Sequence, residues 1–333
     1  VGRTLLLWVV FASISGFAAA SPPGSSKAAV LDTGFRLKVD AEWVYVNVSV
    51  RDSRNRSGML GLSKEDFLLY EDQILQPVRS CTPAEAPFNL LLLMDVSAST
   101  SPFMHILRES ALSFARQLRP ADRIAIMTFS SRNRSILPFT NDRGRLKSAL
   151  RLVKPEDATA FYDALVAALR RLESTSGRKA IVVFSDGVDN QLLNPKDGSE
   201  TTFAELLNIA RQSDCLIYSI FLPPVSGGEE SRPAVLKAER QMRTLSSETG
   251  GKMYTLRRVE KLSVDYSEIA QDLRFIYTLV YAPSPSVPVG WRTLKVEIKG
   301  HPEWTVHARA GYLKKPESQA ARQESEGRGQ KSE

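Results

Sequence analysis

Only two cysteines and three histidines occur in 333 residues, and neither type is arranged for metal or redox work. No CxxC or HExxH spacing is present, and His105, His301 and His307 stand far from Cys81 and Cys215, which argues against a zinc site. G-x-S-x-G and the phosphate-cradling G-x-x-x-x-G-K-S/T are also missing, so neither a nucleophile elbow nor a P-loop is available. No basic block stands out: 44 lysines and arginines are scattered among 37 acidic residues, for a net charge of +7. Without a clustered basic footprint, nucleic acid is not the expected partner.

What is present is an ordinary globular composition, 43% hydrophobic and 24% charged, long enough for more than one domain. His301 and His307, six apart in strand-like segments, read as surface positions. Cys81 and Cys215 leave two readings open, a disulfide in an exported chain or a buried free thiol at Cys215 within DCLIYSI.

Taken in order, residues 1–20 read as an export signal: Arg3, an apolar core from Leu5 to Phe17, and Ala18-Ala19-Ala20 before Ser21. That core is short of the roughly 20 residues a spanning helix needs, and an uncleaved anchor is the other reading. Residues 21–34 form a lead-in. From residue 35 to 82 the pattern has period two. Val44, Val46, Val48 and Val50 alternate with Trp43, Tyr45, Asn47 and Ser49, the signature of a half-buried strand, and Phe67–Tyr70 is another. These strands are too few for a β domain of their own.

From residue 85 to 272 strands alternate with helices. The spacing predicts strands at Asn89–Met94, Arg123–Phe129, Ile136–Phe139, Lys179–Ser185, Leu216–Leu222 and Met253–Tyr254. Between them it predicts helices at Pro102–Leu118, Arg145–Val153, Ala160–Leu172, Phe203–Gln212, Ala234–Thr249 and Val264–Arg274. Such alternation implies a doubly wound, mainly parallel sheet covered on both faces, a Rossmann-like α/β architecture. Period two returns in residues 275–313 with three strands, which we expect to complete the β-sandwich begun at residues 35–82. The α/β part is then an insertion between the two halves, two separate small sheets being the competing arrangement. Residues 314–333 read as a disordered tail.

The run Leu90–Met94 has no polar face, as befits a strand buried on both sides. Asp95, Ser97 and Ser99 follow at its carboxyl end, where ligands bind in open α/β sheets, and either form part of a cation site or only cap the next helix. Two more loops fall in matching places. Asp157-Ala158-Thr159-Ala160 precedes a helix, with Thr159 either a cap or a hydroxyl ligand, and Ser185-Asp186-Gly187 follows the second buried strand.

Together Asp95, Ser97, Ser99, Thr159 and Asp186 resemble the metal-ion-dependent adhesion site, or MIDAS, of von Willebrand factor A (VWA) domains: D-x-S-x-S, a threonine, then S/T-D-G. The resemblance covers residues 85–272. The flanks, through GLSKEDFLLYED and HARAGYLKK, resemble a bacterial group of exported proteins that carry this domain. One departure is Ala158, where many members have glycine, a change that leaves the ligand in place and stiffens the loop. The resemblance implies a divalent cation on these five residues: Mg²⁺, or Mn²⁺ or Ca²⁺ in its place. A small hard cation takes about six oxygen ligands and keeps several waters. Two carboxylates and three hydroxyls carry a formal charge of −2, which balances the ion.

The expected function is therefore an exported binding module, periplasmic, envelope-bound or extracellular, that takes an acidic group of a protein or peptide partner. No small-molecule substrate and no catalysis are expected. Metal-assisted hydrolysis needs a base beside the ion, and Asp189 is the one candidate by sequence. We read Asp189 as a loop residue, and Asp163 as a helix-surface group or one that supports a ligand from behind. The alternative is a structural or assembly role with a vestigial metal site.

Overall fold

A computed structural model describes residues 43–54, 57–84, 86–156, 158–194, 198–223, 231–256, 262–284 and 288–314. The predicted signal, the lead-in and nearly all of the tail lie outside these residues. Among the described residues no helix is long and apolar enough to cross a membrane.

The first strands are β1 (Val44–Asp52), β2 (Phe67–Glu71), β3 (Ile74–Gln76) and β4 (Ser80–Thr82). The α/β part runs β5 (Phe88–Asp95), α1 (Met104–Gln117), β6 (Arg123–Phe129), β7 (Asn133–Thr140), α2 (Arg143–Leu152), α3 (Phe161–Glu173), β8 (Arg178–Ser185), α4 (Phe203–Gln212), β9 (Leu216–Phe221), α5 (Arg232–Thr249), β10 (Met253–Thr255) and α6 (Leu262–Arg274). The chain closes with β11 (Ile276–Tyr281), β12 (Gly290–Ile298), β13 (Trp304–Ala308) and β14 (Gly311–Lys314).

The six-stranded sheet has the order β10-β9-β8-β5-β6-β7 and is parallel except for β7. β5 lies at its centre because its side chains are apolar on both faces. Leu90, Leu92 and Met94 pack with α1, α2 and α6, while Leu91 and Leu93 pack with α3, α4 and α5. All of β5 and β8 is buried, as expected of parallel strands under helices. At the end of α5, Gly250 takes the left-handed conformation at φ 84°, which stops the helix.

The flanking strands form two four-stranded sheets, β13-β1-β11-β4 and β14-β12-β2-β3. Each draws strands from both sides of the α/β segment, and their inner faces share one core of Val46, Val48, Leu69, Tyr277, Leu279 and Val296. β1 departs from the expected half-buried strand: Asn47 and Ser49 are buried as well. Asn47 donates from Nδ2 to the Asp214 carbonyl at 2.9 Å and accepts from the Thr278 hydroxyl at 2.7 Å, so its face is covered by the α/β domain rather than by water. His307 is corrected in the same way. Its ring is half-buried beside Gly251 and Lys252, and burial holds its pKa below the ordinary imidazole value. β14 begins before the expected tail, and Lys314 is buried at its end. Both cysteines are free thiols, Cys215 buried.

One side chain ties the chain crossings together. Arg178, at the start of β8, donates to the carbonyls of Ala84 at 2.6 Å, Ala86 at 2.8 Å and Leu273 at 3.0 Å. Its guanidinium also stacks over Phe88, 3.9 Å from the ring centre. The segment entering the α/β domain and the helix leaving it are therefore held by one buried cation. Asp272 adds a second tie, pairing with Arg51 of β1 and, at 2.7 Å, with Lys252. Arg178→Met removes the donor to the Ala86 and Leu273 carbonyls, while Ala84 keeps a bond from Arg119 at 3.1 Å. Charge-assisted bonds of this kind contribute about 1.5–3 kcal/mol each, and the expected loss is about 3 kcal/mol or more in urea unfolding. A loss under about 1 kcal/mol would show that the clamp does not hold the crossings.

Candidate metal centre

The pairing of β5 with β8 sets the site. Met94 lies opposite Phe184 in parallel register, so Asp95 and Ser185 end their strands side by side. This is also where the order reverses, with β6 on one side of β5 and β8 on the other. Asp95 is fully buried. One of its oxygens accepts from the Ser97 N–H at 2.9 Å and the other from the Ser185 hydroxyl. Ser185 in turn accepts from the Gly187 N–H at 2.8 Å, fixing the turn after β8. Gly187 has φ 68°, and a Cβ there would stand 2.4 Å from the Met242 sulfur, so both backbone and space require glycine.

Around Asp95 the hydroxyls and the second carboxylate gather. Ser97 Oγ lies 3.1 Å from Ser99 Oγ, and the Ser99 side chain acts to lower the pKa of the neighbouring Asp186. Asp186 is buried and also accepts from the Val188 N–H at 3.0 Å. Ser99 is exposed, so the cluster opens to solvent on its side. Burial, then the neighbouring Asp186 charge, pushes the Asp95 pKa well above the ordinary carboxylate range. Burial raises Asp186 as well. Two carboxylates held together out of water without an added cation are electrostatically unfavourable, and this is the local observation that fits a bound ion.

Thr159 is held on a third loop by its backbone. The Ala160 N–H donates to the Ser130 carbonyl, just past β6, at 2.8 Å, and the Asn190 N–H donates to the Thr159 carbonyl at 3.0 Å. Capping does not explain Thr159, because α3 has Ala160 at its N-cap and no cap bond from there. That role belongs to Asp189 and Ser199, which accept from the Tyr162 and Asp163 N–H groups at 3.1 and 3.0 Å. Capping does not explain Asp95, Ser97 or Ser99 either, since α1 has Phe103 at its N-cap. The structure thus joins Asp95, Ser97 and Ser99 by direct contacts, places Asp186 beside Asp95, and holds Thr159 on the adjoining loop.

Sequence reasoning missed two residues. Ser185 was quoted as motif but given no role, yet it orients Asp95. Asp189 is a fully buried hub. Besides Tyr162 it accepts from the N–H groups of Gln191 and Ser199 at 2.9 and 3.0 Å and from the Ser199 hydroxyl at 2.5 Å. Its oxygens are committed to the loops, which leaves it no role as a base. The first residue of an Asp-x-x turn signature after S-D-G was the only hint available. Asp163 accepts from the Glu200 and Thr201 N–H groups at 2.8 and 3.0 Å, a loop-bracing role.

An open sheet with carboxylates and hydroxyls at its switch point defines a candidate cation-binding α/β domain. The family model described as von Willebrand factor type A domain matches residues 90–188, a span that includes all three parts of the site. The UPF0353 protein of Mycolicibacterium paratuberculosis is 25% identical over 198 residues, 56% of this chain. The chain spans 58% of the length of that curated relative. The chain is also similar to the vWF domain of the type V pili tip protein Mfa5 from Porphyromonas gingivalis, at 13% identity, over 56% of this chain and 95% of that one, TM-score 0.45. A further solved structure is proximal thread matrix protein 1 from the mussel byssus with a zinc-occupied MIDAS motif. There the identity is 15%, the coverage 61% of this chain and 49% of that one, and the TM-score 0.46.

Ala158, the departure noted above, adopts φ 63°. A non-glycine residue in this left-handed region costs about 1–2 kcal/mol, against about 0.4–1 kcal/mol of added chain entropy for glycine in the unfolded state. Ala158→Gly is expected to stabilise the protein by about 0.5–1 kcal/mol in thermal or urea unfolding. An unchanged or lower stability would contradict strain at this loop.

Proposed function

We propose that the VWA domain is a divalent-cation-dependent binding module, with Asp95, Ser97, Ser99, Thr159 and Asp186 holding Mg²⁺, or Mn²⁺ or Ca²⁺, and a protein or peptide partner supplying an acidic group. The observation that carries this reading is the buried Asp95–Asp186 pair ringed by hydroxyls that cap no helix. The donor set is all oxygen, as a small hard cation prefers. Such an ion, when bound, supplies Lewis acidity toward a partner's carboxylate. The chain's own part is to hold the oxygens in place: Ser185 orients Asp95, and Asp189 fixes the loops behind Thr159 and Asp186.

We read the module as non-catalytic. Asp189 is committed, and among the described residues no histidine lies on the three site loops. Export to the envelope or beyond rests on the signal-like residues 1–20.

Titration calorimetry of the purified protein with Mg²⁺ and Mn²⁺ tests the site. Binding is expected in the wild type and is lost in Asp95→Ala, with the fold retained by circular dichroism. At Mg²⁺ a hundredfold above its Kd the wild type gains about 2.7 kcal/mol of stability, and Asp95→Ala gains none. In chelator the order reverses: Asp95→Asn melts above the wild type, because it removes a buried charge beside Asp186. A wild type that binds neither ion, or a variant that binds as well, overturns the assignment.

A further inference from the structure

The turn between β6 and β7 stands against the candidate site, and it brings Arg132 and Arg134 close by. Past β6, Ser130 is fully buried, and its carbonyl holds the Ala160 N–H beside Thr159 at 2.8 Å. The chain then turns back at once, with the Ser130 N–H donating to the Arg132 carbonyl at 3.2 Å. Arg132 is therefore two residues from a direct backbone contact with the Thr159 loop, and it is exposed. On the facing segment the Glu156 N–H donates to the Val96 carbonyl at 2.6 Å, between Asp95 and Ser97. Glu156 is already engaged: it accepts from the Ser130 hydroxyl at 2.7 Å and pairs with Arg134 at 3.1 Å. Lys154, on the same segment, is exposed. Among the described residues of this rim, then, Glu156 is neutralised by Arg134, and Arg132 and Lys154 have no ion pair; with Asp157 of the same segment counted, three basic residues stand against two acidic ones. A site whose −2 charge is balanced by an ion thus sits beside a positive edge.

We infer that the partner segment carries two acidic side chains, one for the cation site and a second for Arg132, with Lys154 adding to the local field. This deepens the metal-dependent reading and rests on it. Arg132 is a specificity-determining residue here: it selects among acidic segments and takes no part in holding the ion. Its exposed guanidinium offers a planar fork that matches a carboxylate in two bonds. Because the contact is solvent-exposed it is modest and salt-sensitive.

The test uses soluble Gly/Ser octapeptides, one with a single Asp and others with a second Asp two, four or six residues away. Affinity for the whole protein is read by fluorescence anisotropy in saturating Mg²⁺, and Mg²⁺ affinity is measured separately by calorimetry. At least one spacing is expected to bind about two- to fivefold tighter than the single-Asp peptide, the range of an exposed ion pair. Arg132→Gln is expected to erase that gain while leaving Mg²⁺ affinity and single-Asp affinity unchanged, and raised salt shrinks the gain in the wild type only. Binding of the single-Asp peptide with no gain at any spacing, or a gain that survives Arg132→Gln, overturns the rim's role and leaves the ion site standing. Mg²⁺ binding without binding of any peptide overturns recognition of acidic segments, and absence of Mg²⁺ binding overturns the site reading and this inference with it.

Discussion

The register between β5 and β8 is the constraint on which the rest depends. Two apolar strands, buried on both faces, can pair in parallel only where each has helices above and below. Once Met94 lies opposite Phe184, the polar residues that follow must emerge side by side. Asp95 then lies next to Ser185 and one residue from Asp186, and the hydroxyl of Ser185 satisfies an oxygen that would otherwise be buried without a partner. A one-residue slip would not invert the faces of a strand apolar on both sides. It would, however, separate the carboxylate from its serine. The apolar core therefore gives the strands their place, and the polar ends fix the register.

This division explains what was legible in the sequence. β6 and α4 could be read end to end, β6 as a run buried on both faces and α4 by helical spacing that agrees with its burial. The doubly wound sheet followed from the same patterns. β3, β4 and β14 could not be read, since strands of three or four residues carry too little pattern to stand out. Asn47 and Ser49 misled for a different reason: a polar face beside a valine face signals water, but here it meets Asp214 and the α/β surface. That contact joins residues 167 positions apart, and no local window contains it.

The site shows the same limit at closer range. Its five candidate residues were picked out by position after buried strands and before a helix. Whether Thr159 caps α3 was undecidable locally, because threonine before a helix serves either end. The structure assigns the cap bonds at α3 to Asp189 and Ser199, which arrive from 27 and 36 residues downstream of their partners. Ala158 is the reverse case. Its identity was visible, but only the backbone shows that it holds a conformation better suited to glycine.

The two parts of the chain are joined at the end of the sheet remote from the candidate site. Arg178, Ala84, Ala86 and Leu273 meet at the amino-terminal ends of β5 and β8, whereas Asp95 and Asp186 lie at the carboxyl ends. Because these strands are parallel, the inserted domain is held by its base and turns its oxygen cluster away from that clamp. Asp272 reinforces the same base by pairing with Arg51 of β1. An insertion anchored in this way can vary its upper loops at little cost to the sandwich. The contacts that hold the domain share no residues with the candidate site. The physical demands on the two ends also differ. The base needs a buried cation satisfied by backbone carbonyls, while the opposite end keeps two carboxylates close together, a state that a cation would relieve.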